Sequence, residues 1–425
     1  MFLAIRGDRF DGNAYVADAV GKGAVAAMVN DATLTGVPGL SGTPLIVVPE
    51  TVAALQTLAN RVRRDSGAAV VAVTGSAGKS TTKEITAEFL AARYTVFRNR
   101  GNLNNHIGLP LSLLELRKKP DIGVLELGMN HFGEISALVK IAEPDVRVWT
   151  NVGPAHLEFF GTVDAIAEAK AEILEGADKD SLLVANADDD LVMRHAGTFA
   201  GRVRTFGVER PADVRALAVR DLGIDGTAAI VRTPIGEAEV RTPLPGLANL
   251  SNVLAAMAVA IRFDVPLADI VARAAGLKPI ARRGEVIRAG GVTIVDDSYN
   301  SNPKALSRAL ALLAGETRYA RRVAVVGEML ELGEASPELH RAAGEEIACA
   351  DVGALIAVGG ANARAVAEGA MKAGMPADRV HYVENSTAAA DLAVTLVKSG
   401  DVVLVKGSRG IRTEVVVDRI KAEFA

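Results

Sequence analysis

A chain of 425 residues is about three domains long at ~100–200 residues per domain, which excludes a lone small binding module. Its 47 Lys+Arg against 51 Asp+Glu leave a net charge of −4, and 23% of its residues are charged, so neither a basic nucleic-acid footprint nor disorder is indicated. Aromatics at 4% are too sparse for the stacking platforms that single-stranded nucleic acids need. The single cysteine, Cys349, excludes an intramolecular disulfide framework and suits a reducing compartment. No apolar run approaches the ~20 residues that cross a bilayer. The expectation is a cytoplasmic protein with no nucleic-acid partner and no membrane insertion, working as a monomer.

Short apolar runs alternate with helical patterns almost throughout, the signature of parallel sheets with crossover helices, so the fold class is α/β. Residues 1–66 offer strands at 2–5, 24–29 and 45–48 and a helix at 52–63. Because the chain opens directly on a strand candidate, this first domain is expected to be incomplete. A polar stretch at 61–67 precedes a new β-run, and residues 67–280 form the largest expected domain, with strands at 69–74, 122–127, 146–152 and 182–186. Short β-like segments over 205–244 read as an appendage of that sheet before a helix at 249–263. Residues 281–425 repeat the alternation, with strands at 292–296, 322–326, 354–358, 380–383 and 402–406, as in a Rossmann-like fold. Gly359-Gly360 lacks the full dinucleotide fingerprint and reads as a turn.

The strongest local signal is Val71-Ala-Val-Thr-Gly-Ser-Ala-Gly-Lys-Ser-Thr-Thr82, a buried strand running into a glycine loop and a helix. This is a P-loop of a shorter type than Gly-x-x-x-x-Gly-Lys. Gly75 and Gly78 permit the tight path, Lys79 neutralises phosphate, and Ser80 can ligate Mg²⁺. Glu126 ends the strand at 122–127, on the carboxyl edge where open α/β sheets place ligands, and can serve the same cation. His156 follows the next strand to the same edge, where only its position lifts it above a structural histidine.

Lys170 falls on the apolar stripe Ile166, Ile173, Leu174, Ala177 of an expected helix over 163–177. Two readings stand. Snorkelling to the surface is the one periodicity alone favours. A lysine held out of water, by contrast, becomes a neutral amine able to capture carbon dioxide as a carbamate, an anionic metal ligand. Farther on, Asn249 and Asn252 open a helix. Arg282-Arg283-Gly-Glu285 and Asp296-Asp-Ser-Tyr-Asn-Ser-Asn-Pro303 flank the first strand of the third domain, where packed polar residues suit a ligand.

Thr74-Gly-Ser-Ala-Gly-Lys-Ser-Thr81, Gly101-Asn-Leu-Asn-Asn-His-Ile-Gly-Leu-Pro110, Glu126-Leu-Gly-Met-Asn130, Ala155-His-Leu-Glu158, Ala169-Lys-Ala-Glu172, Asp296 to Pro303 and Lys406-Gly-Ser-Arg409 occur together in order. The set resembles the ATP-dependent Mur ligases of peptidoglycan synthesis over nearly the whole chain. Within them it looks most like the member that joins D-alanyl-D-alanine to UDP-N-acetylmuramoyl tripeptide. The resemblance implies an N-terminal domain for the UDP substrate, a central ATPase domain, and a C-terminal domain that closes over the nucleotide. It implies that Thr74, Gly75, Ser76, Ala77, Gly78, Lys79, Ser80 and Thr81 bind ATP, with Asn252 at the adenine and Arg283, Asp297 and Asn300 completing the site. Ser80 and Glu126 would hold one Mg²⁺, and His156 with carbamylated Lys170 a second. Asn104, Asn105, Lys406 and Arg409 would face the substrates. Ala248 stands where the family commonly has histidine, so one polar contact near the nucleotide is expected to be missing, and so is the usual leader before Phe2-Leu-Ala-Ile-Arg-Gly7, which contributes to uridine binding in the family. The alternatives are another Mur-type or folylpolyglutamate-type ligase, or a nucleotide-binding regulatory protein without catalysis.

Overall fold

The computed structural model describes residues 1–7 and 9–425. Three sheets organise the described residues. The first has three short parallel strands, Phe2–Leu3, Ala27–Val29 and Leu45–Val47, in chain order. The helix Thr51–Ser66 then ties this sheet to the next: Thr51 Oγ1 donates to Ala4 O at 3.0 Å, while Ala59 enters the core of the middle sheet.

The middle sheet has nine strands, in the spatial order Gly236–Thr242, Thr227–Thr233, Val214–Asp221, Arg202–Gly207, Leu182–Asn186, Val146–Trp149, Ala69–Thr74, Ile122–Glu126, Val96–Arg98. Its central strands are apolar at nearly every position because both faces are covered. Val71 and Val73 point into one core with the helices Lys79–Leu90 and Leu247–Arg262; Val70 and Ala72 point into the other with Glu134–Ala142 and Val163–Ala171. The β-rich segment continues this sheet. Val214–Asp221 pairs parallel to Arg202–Gly207, and two antiparallel pairings extend the same sheet.

The C-terminal sheet has six strands, ordered Glu285–Ala289, Val292–Asp297, Asp401–Lys406, Arg321–Gly327, Ala354–Val358, Val380–Val383, all parallel except the first. That antiparallel edge strand and Val96–Arg98 escape sequence reading because both are short and carry charged residues. Among the described residues no helix is long and apolar enough to cross a membrane.

The helix bearing Lys170 ends at Ala171 and passes into a 3₁₀ turn over Glu172–Leu174, so the expected span to 177 is too long. The cause is Arg147. Its buried guanidinium takes the carbonyls of Ile173 (2.9 Å) and Glu175 (3.1 Å), acceptors that further helical turns would need, and Gly176 then turns away at φ 63°.

The turn between Val214–Asp221 and Thr227–Thr233 leaves its own domain. Ile224 is buried among Val295, Leu306, Leu310 and Leu313 of the C-terminal unit, and its N–H donates to Glu316 Oε1 at 2.6 Å. Asp225 beside it pairs with Arg288 (2.7 Å) and Arg318 (2.5 Å). Ile224→Ala is expected to lower the denaturation midpoint by the equivalent of about 2–5 kcal/mol, and Ile224→Val by only about 0.5–1.5 kcal/mol; equal midpoints for parent and alanine variant in a urea titration would show that the turn anchors nothing.

Candidate active site

The phosphate loop follows from burial and backbone shape. Ala69–Thr74 ends in the sheet interior, and the chain must turn at once, which it does through Gly75 (φ 147°) and Gly78 (φ 83°). A Cβ on Gly75 would stand 2.0 Å from Thr150 Oγ1, and one on Gly78 2.4 Å from Asn252 Oδ1, so glycine is required at both for space as well as for φ. Asn151 braces the loop, its backbone O accepting from Ser76 N–H (3.0 Å) and its Oδ1 from Ala77 N–H (3.0 Å). The amides of Lys79, Ser80 and Thr81, opening the helix Lys79–Leu90, make no hydrogen bond among the described residues. Unpaired amides at a helix N-terminus are acceptor-seeking and suit phosphate oxygens.

Lys79 Nζ donates to Gly75 O at 2.8 Å. Burial pushes its ammonium below the usual lysine range, against the attraction of Glu126 and with the repulsion of Arg283. Ser80 Oγ donates to Glu126 Oε2 at 2.5 Å, and Asn104 Nδ2 to Glu126 Oε1 at 2.8 Å. A hydroxyl and a carboxylate so placed are hard oxygen donors, the chemistry Mg²⁺ prefers, with the loop amides beside them for phosphate. Among the described residues no three His, Cys, Asp or Glu side chains are arranged to hold a metal by themselves. A cation at Ser80 and Glu126 would need ligand oxygens to complete its shell.

One cleft of about 1020 Å³ gathers most of the expected residues. Ser76 to Thr81, Asn104, Asn105, Glu126 and His156 line it from the middle domain, together with Asn252. Arg283, Asp297, Asn300 and Lys406 line it from the C-terminal domain. Asn252 also accepts from Thr82 Oγ1 at 3.2 Å. Thr74 and Gly75 lie behind the loop, with Thr74 Oγ1 spent on Leu127 O at 3.2 Å. Asn105 lines the cleft, but its Oδ1 accepts from Ile107 N–H (3.2 Å) and Gly108 N–H (2.8 Å) in the turn leading into a helix.

The C-terminal contributors are cross-braced. Lys406, 2% exposed, donates to Asp297 Oδ2 (2.5 Å) and Asn300 O (3.0 Å), so its charge is already matched. Arg283 stacks on Tyr299 with its guanidinium carbon 4.1 Å from the ring centroid. Arg409 does not line the cleft; it is well exposed, with Nη1 3.4 Å from Glu414 Oε1 and its guanidinium carbon 5.7 Å from the ring centroid of Tyr299. The glycine pair at 359–360 is filled by the chain itself. Glu328 Oε1 accepts from Asn362 N–H (3.0 Å) and Ala363 N–H (3.1 Å), so these amides at the start of the following helix are already paired.

Lys170 does not snorkel. It is 1% exposed, on a helix packed into the core of the middle sheet and outside the cleft lining, and its amine makes no ion pair with a carboxylate among the described residues. Burial first, and then the charge of Lys79, hold its amine well below the usual lysine value. His156 sits at φ 65° with Nδ1 2.5 Å from Glu331 Oε2 of the C-terminal domain. Sequence reasoning passed over Asn151, Glu331 and Tyr299, since a brace, a single acid in a turn and a stacking ring carry no periodic signal.

Similarity to known proteins covers nearly the whole chain. The Mur ligase middle domain matches residues 73–260, and the Mur ligase, glutamate ligase domain matches residues 282–409. The UDP-N-acetylmuramoyl-tripeptide–D-alanyl-D-alanine ligase of Bacillus subtilis is 34% identical over 419 residues, 98% of this chain and 89% of the relative. That of Escherichia coli is 34% identical over 422 residues, 98% and 90%. A crystal structure of MurF from Acinetobacter baumannii superposes with a TM-score of 0.89 at 32% identity, covering 99% of this chain and 90% of that one. MurF from Thermotoga maritima in complex with ADP gives 0.86 at 32%, covering 100% and 94%.

A buried, unpaired lysine also sets a stability test. Its pKa in the fold lies well below the ordinary 10.5, so between those two values the unfolded chain binds one proton more and stability rises with pH. In bicarbonate-free buffer Lys170→Met should therefore unfold at a higher urea midpoint than the parent. The gain should be greatest below the folded pKa and vanish as pH rises to 10.5. A pH-independent difference would contradict the burial of an unpaired amine.

Proposed function

The chain belongs to the Mur ligase family, and we propose that within it this protein joins D-alanyl-D-alanine to UDP-N-acetylmuramoyl tripeptide at the expense of ATP, in peptidoglycan precursor synthesis. The observation that carries the reading is the single cleft in which Ser80, Glu126 and the open amides of Lys79 to Thr81 face Arg283 and Asp297 from another domain. The activity assignment follows its similarity to the ligases of that specificity.

The UDP-muramoyl end is assigned to residues 1–66, the nucleotide to 67–280, and the closing face to 281–425. A carboxylate is a poor electrophile. Transfer of the γ-phosphoryl group to the terminal carboxylate of the tripeptide makes an acyl phosphate and ADP; the amine of D-alanyl-D-alanine then attacks the carbonyl, and phosphate leaves as the amide forms. Lys79 and the loop amides hold the phosphates in place, and Asn252 contacts the adenine. Asp297 and Asn300, braced by Lys406, and Arg283, held flat by Tyr299, complete the nucleotide site. Of the residues expected at the dipeptide, Arg409 keeps a largely solvated guanidinium for a carboxylate, while Lys406 is committed to Asp297.

Mg²⁺ would be held by Ser80 and Glu126, and a second ion by His156 and Lys170 as its carbamate. Bound there, the ions neutralise the charge repulsion between carboxylate and triphosphate. The neutral Nζ of Lys170 adds to carbon dioxide and releases a proton, giving an anion that the neighbouring charge of Lys79 favours. Against a folylpolyglutamate-type ligase or a non-catalytic protein stand the full-length relatives of one specificity at 34% identity.

Phosphate release from ATP is expected to require both UDP-N-acetylmuramoyl tripeptide and D-alanyl-D-alanine; release at an equal rate without the dipeptide would overturn ligation. Stripping bicarbonate and carbon dioxide should depress the rate and their return restore it, while Lys170→Arg, which keeps a cation but cannot carbamylate, should lose most of it. Normal ligation by Lys170→Arg would remove the carbamate.

A further inference from the structure

The contact between His156 and Glu331 joins two domains. His156 follows the strand Val146–Trp149 of the middle sheet, and Glu331 lies in the turn after Arg321–Gly327 of the C-terminal sheet, 175 residues away. The pair is over-determined. Nδ1 of His156 is 2.5 Å from Glu331 Oε2, and two residues on, Glu158 N–H donates to Glu331 O at 3.1 Å. Leu157, between them, packs against both the middle and the C-terminal cores. Gly333 approaches so closely that a Cβ there would stand 3.1 Å from Glu158 Cα. His156 and Glu331 both have φ 65°, in the left-handed region that non-glycine residues seldom occupy unless their surroundings hold them there.

A carboxylate at Nδ1 of an imidazole fixes the tautomer: the proton sits on Nδ1, the lone pair on Nε2, and the ring plane is locked. His156 lines the nucleotide cleft, whereas the acid that orients it arrives from the other side of the domain boundary. We propose that Glu331 is a positioning residue for His156, presenting Nε2 to the second cation only when the C-terminal domain is docked, so that domain docking and capture of that cation are coupled. This rests on the reading that His156 serves a second Mg²⁺.

The test uses Mn²⁺ alone as probe, titrated into the full-length chain with ADP and bicarbonate, with free Mn²⁺ read by electron paramagnetic resonance. The parent should bind two ions. Glu331→Ala should weaken one of them about 10–100-fold, the usual effect of removing a partner that orients a metal-bound histidine, and leave the other unchanged. Glu331→Gln, which can still accept from Nδ1–H, should lose less. In a His156→Ala background, Glu331→Ala should add no further loss. In steady state, the apparent KM for Mg²⁺ should rise in Glu331→Ala while kcat at saturating Mg²⁺ changes little. Parent-like binding of both ions by Glu331→Ala, or a loss that adds to that of His156→Ala, would overturn the role of Glu331. A parent that binds one ion would overturn the two-ion reading along with it, while the phosphate-release assay still decides ligation on its own.

Discussion

Lys170, held out of water, and Lys79, partly buried at the cleft wall, stand close enough for the charge of Lys79 to disfavour a charge on Lys170. Positive charge in a poorly solvated site is costly unless something negative answers it. Glu126 answers part, attracting Lys79 while it is tied to Ser80 and Asn104. The loop amides add further positive potential with no protein acceptor. The loop therefore offers positive potential that the polypeptide itself does not answer in full, as suits a bound anion.

That balance depends on where the sheet stops. Ala69–Thr74 carries the loop because two cores grip it from opposite faces, leaving its carboxyl end as the only exit. Neighbouring parallel strands deliver Glu126 and His156 to the same edge for the same reason. The C-terminal domain meets this edge with its own carboxyl-end residues, Asp297 and Lys406, whose strands pair in register. Placing two such edges face to face makes a cleft whose walls come from different domains, and relative movement of the domains would assemble or disperse it.

Docking is anchored at several places, Lys304 meeting Val152 O and Asp189 among them, and two of them differ in kind. At one, the turn carrying Ile224 plugs the C-terminal core and is ringed by Asp225, Arg288, Arg318 and Glu316. At the other, His156, Leu157 and Glu158 meet Glu331 and Gly333. The first contact buries an aliphatic side chain; the second is polar and reaches the cleft. Contacts of these two kinds divide the work between holding the domains and reporting their position.

The amino-acid sequence by itself determined the elements that rest on local rules. Apolar runs marked nearly all the buried parallel strands, because a strand covered on both faces has no polar side to show. Glycine spacing marked the phosphate loop, because the backbone there demands positive φ and empty space. Tertiary structure alone decided the rest. Periodicity left Lys170 between snorkelling and burial, and only the packing of its helix against the middle sheet withdrew it from water. The same stripe overran the helix end, since the carbonyls that stop it are taken by Arg147 from a neighbouring strand. Lys406 is satisfied by Asp297, 109 residues away, and His156 meets Glu331 across 175. The first depends on how two strands of the C-terminal sheet pair and the second on how domains dock, and neither is set within any window along the chain.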